Sequence, residues 1–188
     1  MTDTTTTKPI IANGWRIAGW GSALALLLLP AIAMQFSDEV QWTGFDFVVA
    51  AIILGVTGIA AEIGVRMSRN WPHLIGYGLA TFAGFFTVWS NLAVGIIGAE
   101  GEPVNMGFFV LILLGVIAAF AARLKPMGLA HVTGVIAVGQ IVQGLVATQA
   151  MPGHMIEWGI LLMFAALWLV ASLCFRRAAK LPGIPAAS

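Results

Sequence analysis

Residues 45–65 read FDFVVAAIILGVTGIAAEIGV, and Arg66 and Arg69 follow directly. Apart from Asp46 at its start and Glu62 near its end, the run carries no charge. It lacks the polar/apolar alternation of a half-buried strand. A hydrocarbon core about 30 Å thick is crossed by about 20 apolar residues in a helix. In lipid each backbone N–H and C=O must be satisfied within its own segment, which a helix achieves and a lone strand does not. The stretch therefore reads as a membrane-spanning helix. Working outward, five further runs share its character, at 17–34, 74–98, 104–122, 129–148 and 155–175. The expected fold is an all-α integral membrane bundle of six transmembrane helices, arranged as three helical hairpins.

Composition points the same way. Hydrophobic residues make up 60% of the 188 and charged residues 9%, against about 45–50% and about 25% in soluble domains. So few charges would leave a soluble chain without polar cover. The lipid bilayer is the expected partner, and a net charge of +1 gives no reason to expect nucleic acid. Cys174 is the single cysteine and has no disulfide partner in the chain. No Cys/His spacing of metal-binding type occurs, so neither a metal nor a cofactor is expected.

The connections carry helix signals. Pro72, Pro103 and Pro152 sit just before or at expected helix starts, where the missing proline N–H would be unpaired anyway. Thr43 and Asp46 have capping-box spacing. Pro30 lies inside the first run and should kink it or end it early. The basic residues Lys8, Arg16, Arg66, Arg69, Arg123, Lys125, Arg176, Arg177 and Lys180 all fall on one side of the six runs. Asp38, Glu39, Asp46, Glu100, Glu102 and Glu157 fall on the other. The positive-inside rule then puts both termini in the cytoplasm. Trp15 and Trp71 sit near the inner interface, and Trp42 and Trp158 near the outer one, as an aromatic belt requires. The expected organisation is a disordered cytoplasmic tail at 1–14, one six-helix domain at 15–177, and a short cytoplasmic tail at 178–188. A competing reading takes Lys8, Arg16, the apolar 23–29 and Ala31-Ile32-Ala33 as a cleavable signal peptide, which would leave five helices.

Helices associate in lipid through close packing and interhelical hydrogen bonds, so small and polar residues mark buried faces. Gly84, Thr87, Asn91, Gly95 and Gly98 form such a stripe, as do Thr133, Ala137, Gln140, Gly144 and Ala147. A third comprises Ala51, Gly55, Gly58 and Glu62. These stripes predict that the second, third and fifth helices are central, with the first, fourth and sixth more exposed to lipid.

Few residues could carry chemistry. No G-x-S-x-G, H-E-x-x-H or paired intramembrane aspartates occur, so no enzyme is expected. Glu62 is the one acid well inside a run, and an intramembrane carboxylate is a functional candidate by default. Arg66 stands four residues later, in the favourable order for an ion pair along a helix. His73 and His131 share one depth near the inner interface, where solvation is the plain reading and haem ligation the alternative; His154, in an outer loop, reads as solvated. Asn91, Gln140 and Gln143 lie at a common depth of roughly 8–12 Å below the outer helix ends. They are expected either to bind helices together or to line a ligand pocket open to the outer side, with Trp89 in its wall and Asp46 and Glu100 near its mouth.

The stretches 34–42 (MQFSDEVQW), 45–50 (FDFVVA) and 89–100 (WSNLAVGIIGAE), with Pro103, Asn105 and the ending 175–179 (FRRAA), resemble a family of small uncharacterised bacterial inner-membrane proteins. The resemblance implies a multi-pass location in the bacterial inner membrane and brings no activity, cofactor or catalytic residue. The expected function is a non-enzymatic accessory or interaction subunit, or a small-ligand binder open to the periplasm. Its protein partner would be another membrane protein or a second copy of the chain. The alternative is a small-solute or ion transporter, and a more distant one is a redox protein binding haem or quinone.

Overall fold

The structure, a computed structural model, describes the backbone of residues 11–99, 101–150 and 157–182, with side chains from 14 and, in the last segment, from 158. The described residues form six α-helices and no strand: α1 Ile11–Ala33, α2 Gly44–Met67, α3 Trp71–Ala93, α4 Met106–Ala121, α5 Pro126–Ala150 and α6 Glu157–Lys180. A single 3-10 turn, Pro103–Asn105, leads into α4. Five helices, all but α3, are long and apolar enough to cross a membrane. At 23 residues α3 has the length; what it lacks is apolarity, because Thr81, Thr87, Ser90 and Asn91 interrupt its hydrophobic run.

The local signals act largely as read. Thr43 and Asp46 close a capping box at the start of α2: the Thr43 N–H donates to Asp46 Oδ2 at 2.6 Å, and the Asp46 N–H donates back to Thr43 Oγ1 at 3.4 Å. Pro72 occupies the first turn of α3. Pro30 does not stop α1, which runs on to Ala33.

One boundary differs. The third helix was expected to reach residue 98 and stops at Ala93. Gly95 and Gly98 have φ of 76° and 65°, left-handed conformations that only glycine adopts without steric cost. They belong to the turn after the helix, so the last two members of the expected stripe are not on a helix face. The α4–α5 turn is strained, since Arg123 and Leu124 hold φ near +55° without being glycine.

The chain divides into two compact units, 1–62 and 63–188. In the first, Gly58 lets the Trp20 ring lie against α2: a Cβ at this position would sit 2.9 Å from the ring.

The second unit holds α3–α6 around three stacked core layers. Tyr77, Leu129, Ala130, Ala171 and Phe175 form the layer at the start of α3. Ala83, Ile136, Ala137 and Trp168 form the middle. Ile96, Ile97, Phe108, Ala147, Leu161 and Phe164 close the end beyond Asn91. All five members of the α5 stripe are buried, and α4 is peripheral, burying only Phe108 and Gly115.

The expectation that the sixth helix lies at the lipid-exposed edge is overturned. Phe164 is 0% exposed, Trp168 5% and Phe175 1%. The reason is steric. The small residues of α3 and α5 leave room that the large side chains of α6 fill, with Phe175 over Gly76, Trp168 over Gly84, and Leu161 with Trp158 over Gly144. A stripe of small residues needs a bulky partner face, and α6 supplies it. Outward, Val135, Val138, Val142 and Leu145 on α5 are exposed, as a lipid-facing surface would be.

Candidate functional site

A run of α3 positions at heptad-like spacing, 73, 77, 80, 84, 87 and 91, points into the second unit, with polar side chains at both ends and Ala80 and Gly84 between. At the far end Thr87, Asn91 and Gln140 are 0%, 2% and 0% exposed. The Gln140 Nε2 of α5 donates to Thr87 Oγ1 at 3.4 Å, and the Thr87 hydroxyl donates to the Ala83 carbonyl at 2.8 Å. Asn91, one turn or about 6 Å further along α3, accepts the Ile96 N–H on Oδ1 at 3.3 Å.

These partners fix how each amide is turned. Oδ1 of Asn91 meets a backbone N–H, which can only donate, so Nδ2 must face the interior. The Thr87 proton is committed to Ala83, so its oxygen accepts, and Gln140 must present nitrogen to it. Two buried atoms are left without a partner, the Asn91 Nδ2 donor and the Gln140 Oε1 acceptor. Trp168 Nε1, in the core layer one turn below, is a third. Buried polar groups in native structures are nearly always paired, by protein, water or ligand.

The turn after α3 is held down over this end of the bundle. Ile96 and Ile97 are 2% and 1% exposed and pack on Phe108, Leu161 and Phe164. Asn105, 2% exposed, clamps the turn with three hydrogen bonds. It accepts the Ile97 N–H at 3.0 Å and donates to the carbonyls of Ile97 and Ala99 at 3.0 and 2.9 Å. Asn91 thus faces two ways, with its oxygen on the plug and its nitrogen on the core. In the sequence Asn105 stands out only as part of a resemblance; its buried polarity shows once the turn folds back.

The other described site residues have partners of their own. Gln143 is half-buried and donates to the Val104 carbonyl, joining α5 to the plug. Trp89 is half-buried and stacks on Phe85 with ring centroids 5.8 Å apart. Asp46 belongs to the first unit, where the capping box engages it. Glu100 and His154 lie outside the described residues.

Glu62 also belongs to the first unit. Along its own helix the expected partner is Arg66, four residues on. Across the hairpin, Arg16 of α1 supplies a two-pronged fork, Nε to Oε1 at 3.0 Å and Nη2 to Oε2 at 3.1 Å. Trp20 Nε1 adds a bond to Oε1 at 2.9 Å. Neither partner was foreseen, because the contact depends on how the hairpin closes.

The solvated reading of His73 is corrected. It is 1% exposed and packs on Tyr77 and Phe175. The imidazole Nδ1 accepts the Arg69 N–H at 3.3 Å, and Nε2 is unpaired. Asn70 caps the helix beneath it and ties α3 to α6 by donating to the Ala178 carbonyl at 3.2 Å. His131, its expected companion, is exposed. Among the described residues no group of three His, Cys, Asp or Glu could hold a metal ion. Comparison with protein-family models, curated proteins and solved structures finds no match.

Proposed function

We propose that this chain is a non-enzymatic, multi-pass protein of the bacterial inner membrane whose 63–188 bundle binds a small polar ligand, reached from the periplasmic side beneath Ile96 and Ile97. In this reading all six helices cross the bilayer with both termini in the cytoplasm, α3 turning Ile75, Phe82 and Phe86 outward and its polar side chains inward, and the protein serves as an accessory to another membrane protein. The placement of all nine basic residues supports the orientation, and the quoted resemblance supports the location.

The observation that carries the binding reading is the pair of buried amide atoms left open by Asn91 and Gln140. Two amides that served only to bind helices together would be expected to bond each other; here each is turned by a different partner. The test is native mass spectrometry of the purified chain beside Asn91→Leu and Gln140→Met. A small molecule retained by the wild type and lost from both folded variants is the expected result. Variants that lose thermal stability alone, with no molecule retained by any form, would reduce the cluster to packing.

A further inference from the structure

We infer that the Asn91–Gln140 site selects a neutral ligand that presents a hydrogen-bond acceptor and a donor side by side, such as a primary carboxamide or a hydroxyl, and rejects ions of either sign. The inference rests on the binding reading above and specifies its chemistry.

The polarity follows from the fixed amides. Asn91 Nδ2 can only donate, so its partner must accept. Gln140 Oε1 can only accept, so its partner must donate. The Ile96 N–H on Asn91 and the Thr87 hydroxyl on Gln140 hold both amides in these orientations. An anion such as a carboxylate satisfies Asn91 and sets its charge against the Gln140 oxygen. A cation such as an ammonium or amidinium satisfies Gln140 and sets its hydrogens against Asn91 Nδ2.

Among the described residues of the 63–188 unit, no buried side chain carries a charge to compensate an ion. The buried polar side chains of the described residues are Asn70, His73, Thr87, Asn91, Asn105, Thr133, Gln140 and Ser172, with no Asp, Glu, Lys or Arg among them. The neighbouring core is apolar, formed by Ala83, Ile136, Ala137 and Trp168 on one side and by Ile96, Phe108 and Phe164 on the other. An ion brought between them would be desolvated without a counter-charge, which is disfavoured far more strongly than burying a neutral polar group whose hydrogen bonds are met.

Three probes of one shape separate the cases: acetamide (neutral, donor and acceptor), acetate (anionic, acceptor only) and acetamidinium (cationic, donor only). Each is titrated against the full-length protein in detergent, with Tm as the readout. Acetamide is expected to raise Tm in proportion to the logarithm of its concentration once the site saturates. The two ions should leave Tm at the value in matched sodium chloride. Asn91→Leu and Gln140→Met should each abolish the acetamide response, and two variants guard against one of them failing to fold. An ion that raises Tm as much as acetamide, with the rise lost in Asn91→Leu, overturns the inference and leaves the binding reading standing. No response to any probe, together with no small molecule retained by the purified wild type, overturns both.

Discussion

Asn105→Ala tests whether the turn after α3 is clamped as described. The substitution removes three hydrogen bonds. Ala99 is exposed, so its carbonyl can turn to water. Ile97 is 1% exposed, so both its N–H and its C=O are left buried without a partner. Each orphaned group costs about 1–3 kcal/mol, which sums to about 2–6 kcal/mol, a large part of a typical stability of about 5–15 kcal/mol. Asn105→Asp should be no milder. It keeps the acceptor for Ile97 but loses both donors and sets a carboxylate against two carbonyls. The assay is SDS-induced unfolding followed by tryptophan fluorescence, with endoproteinase cleavage at Glu102 as a local readout of the turn. Faster cleavage together with a loss near 4 kcal/mol is expected, the midpoint of the same range. A loss below about 1 kcal/mol with the turn still protected would refute the clamp.

Three further outcomes are expected. A reporter active only in the periplasm should work when fused after Glu39, Glu102 or Gly153 and be silent after Arg69, Lys125 or Lys180; activity at Lys125 with silence at Gly153 would sink the six-span arrangement. Glu62→Gln should lower stability by only about 0.2–1 kcal/mol, because Arg16 is 44% exposed and the amide oxygen still accepts from Trp20; a protein that expresses and melts normally but loses its cellular function would point to proton transfer at Glu62. Gly76→Ala should cost about 1–3 kcal/mol, since the new methyl would lie 2.9 Å from the buried Phe175 ring, and Phe175→Leu in the same chain should recover part of the loss; equal melting of wild type and Gly76→Ala would show that α6 does not pack there as tightly as described.

Much of the helical plan was legible in the sequence, because it follows from local requirements. Apolar runs of bilayer length must satisfy their own backbone, capping residues act within one turn, and the small-residue stripe on α5 repeats with the helical period. These features need no knowledge of neighbours, and the α5 stripe and the Thr43–Asp46 box were readable residue by residue. Other features depend on which surfaces meet. The Leu- and Phe-rich sixth helix resembles a lipid-facing one until Gly76, Gly84 and Gly144 are placed beneath its aromatic side chains. Ile96-Ile97-Gly98 extends an apolar run and reads as helix, yet two glycines in left-handed conformations and the Asn105 clamp turn it back into the core. Asn91 and Gln140 could be placed at one depth from helical rise alone. Which atom of each amide is left open was decided by Ile96 and Thr87, partners that come together only when the turn and two helices close on one another, and that choice of atom sets what the site can bind.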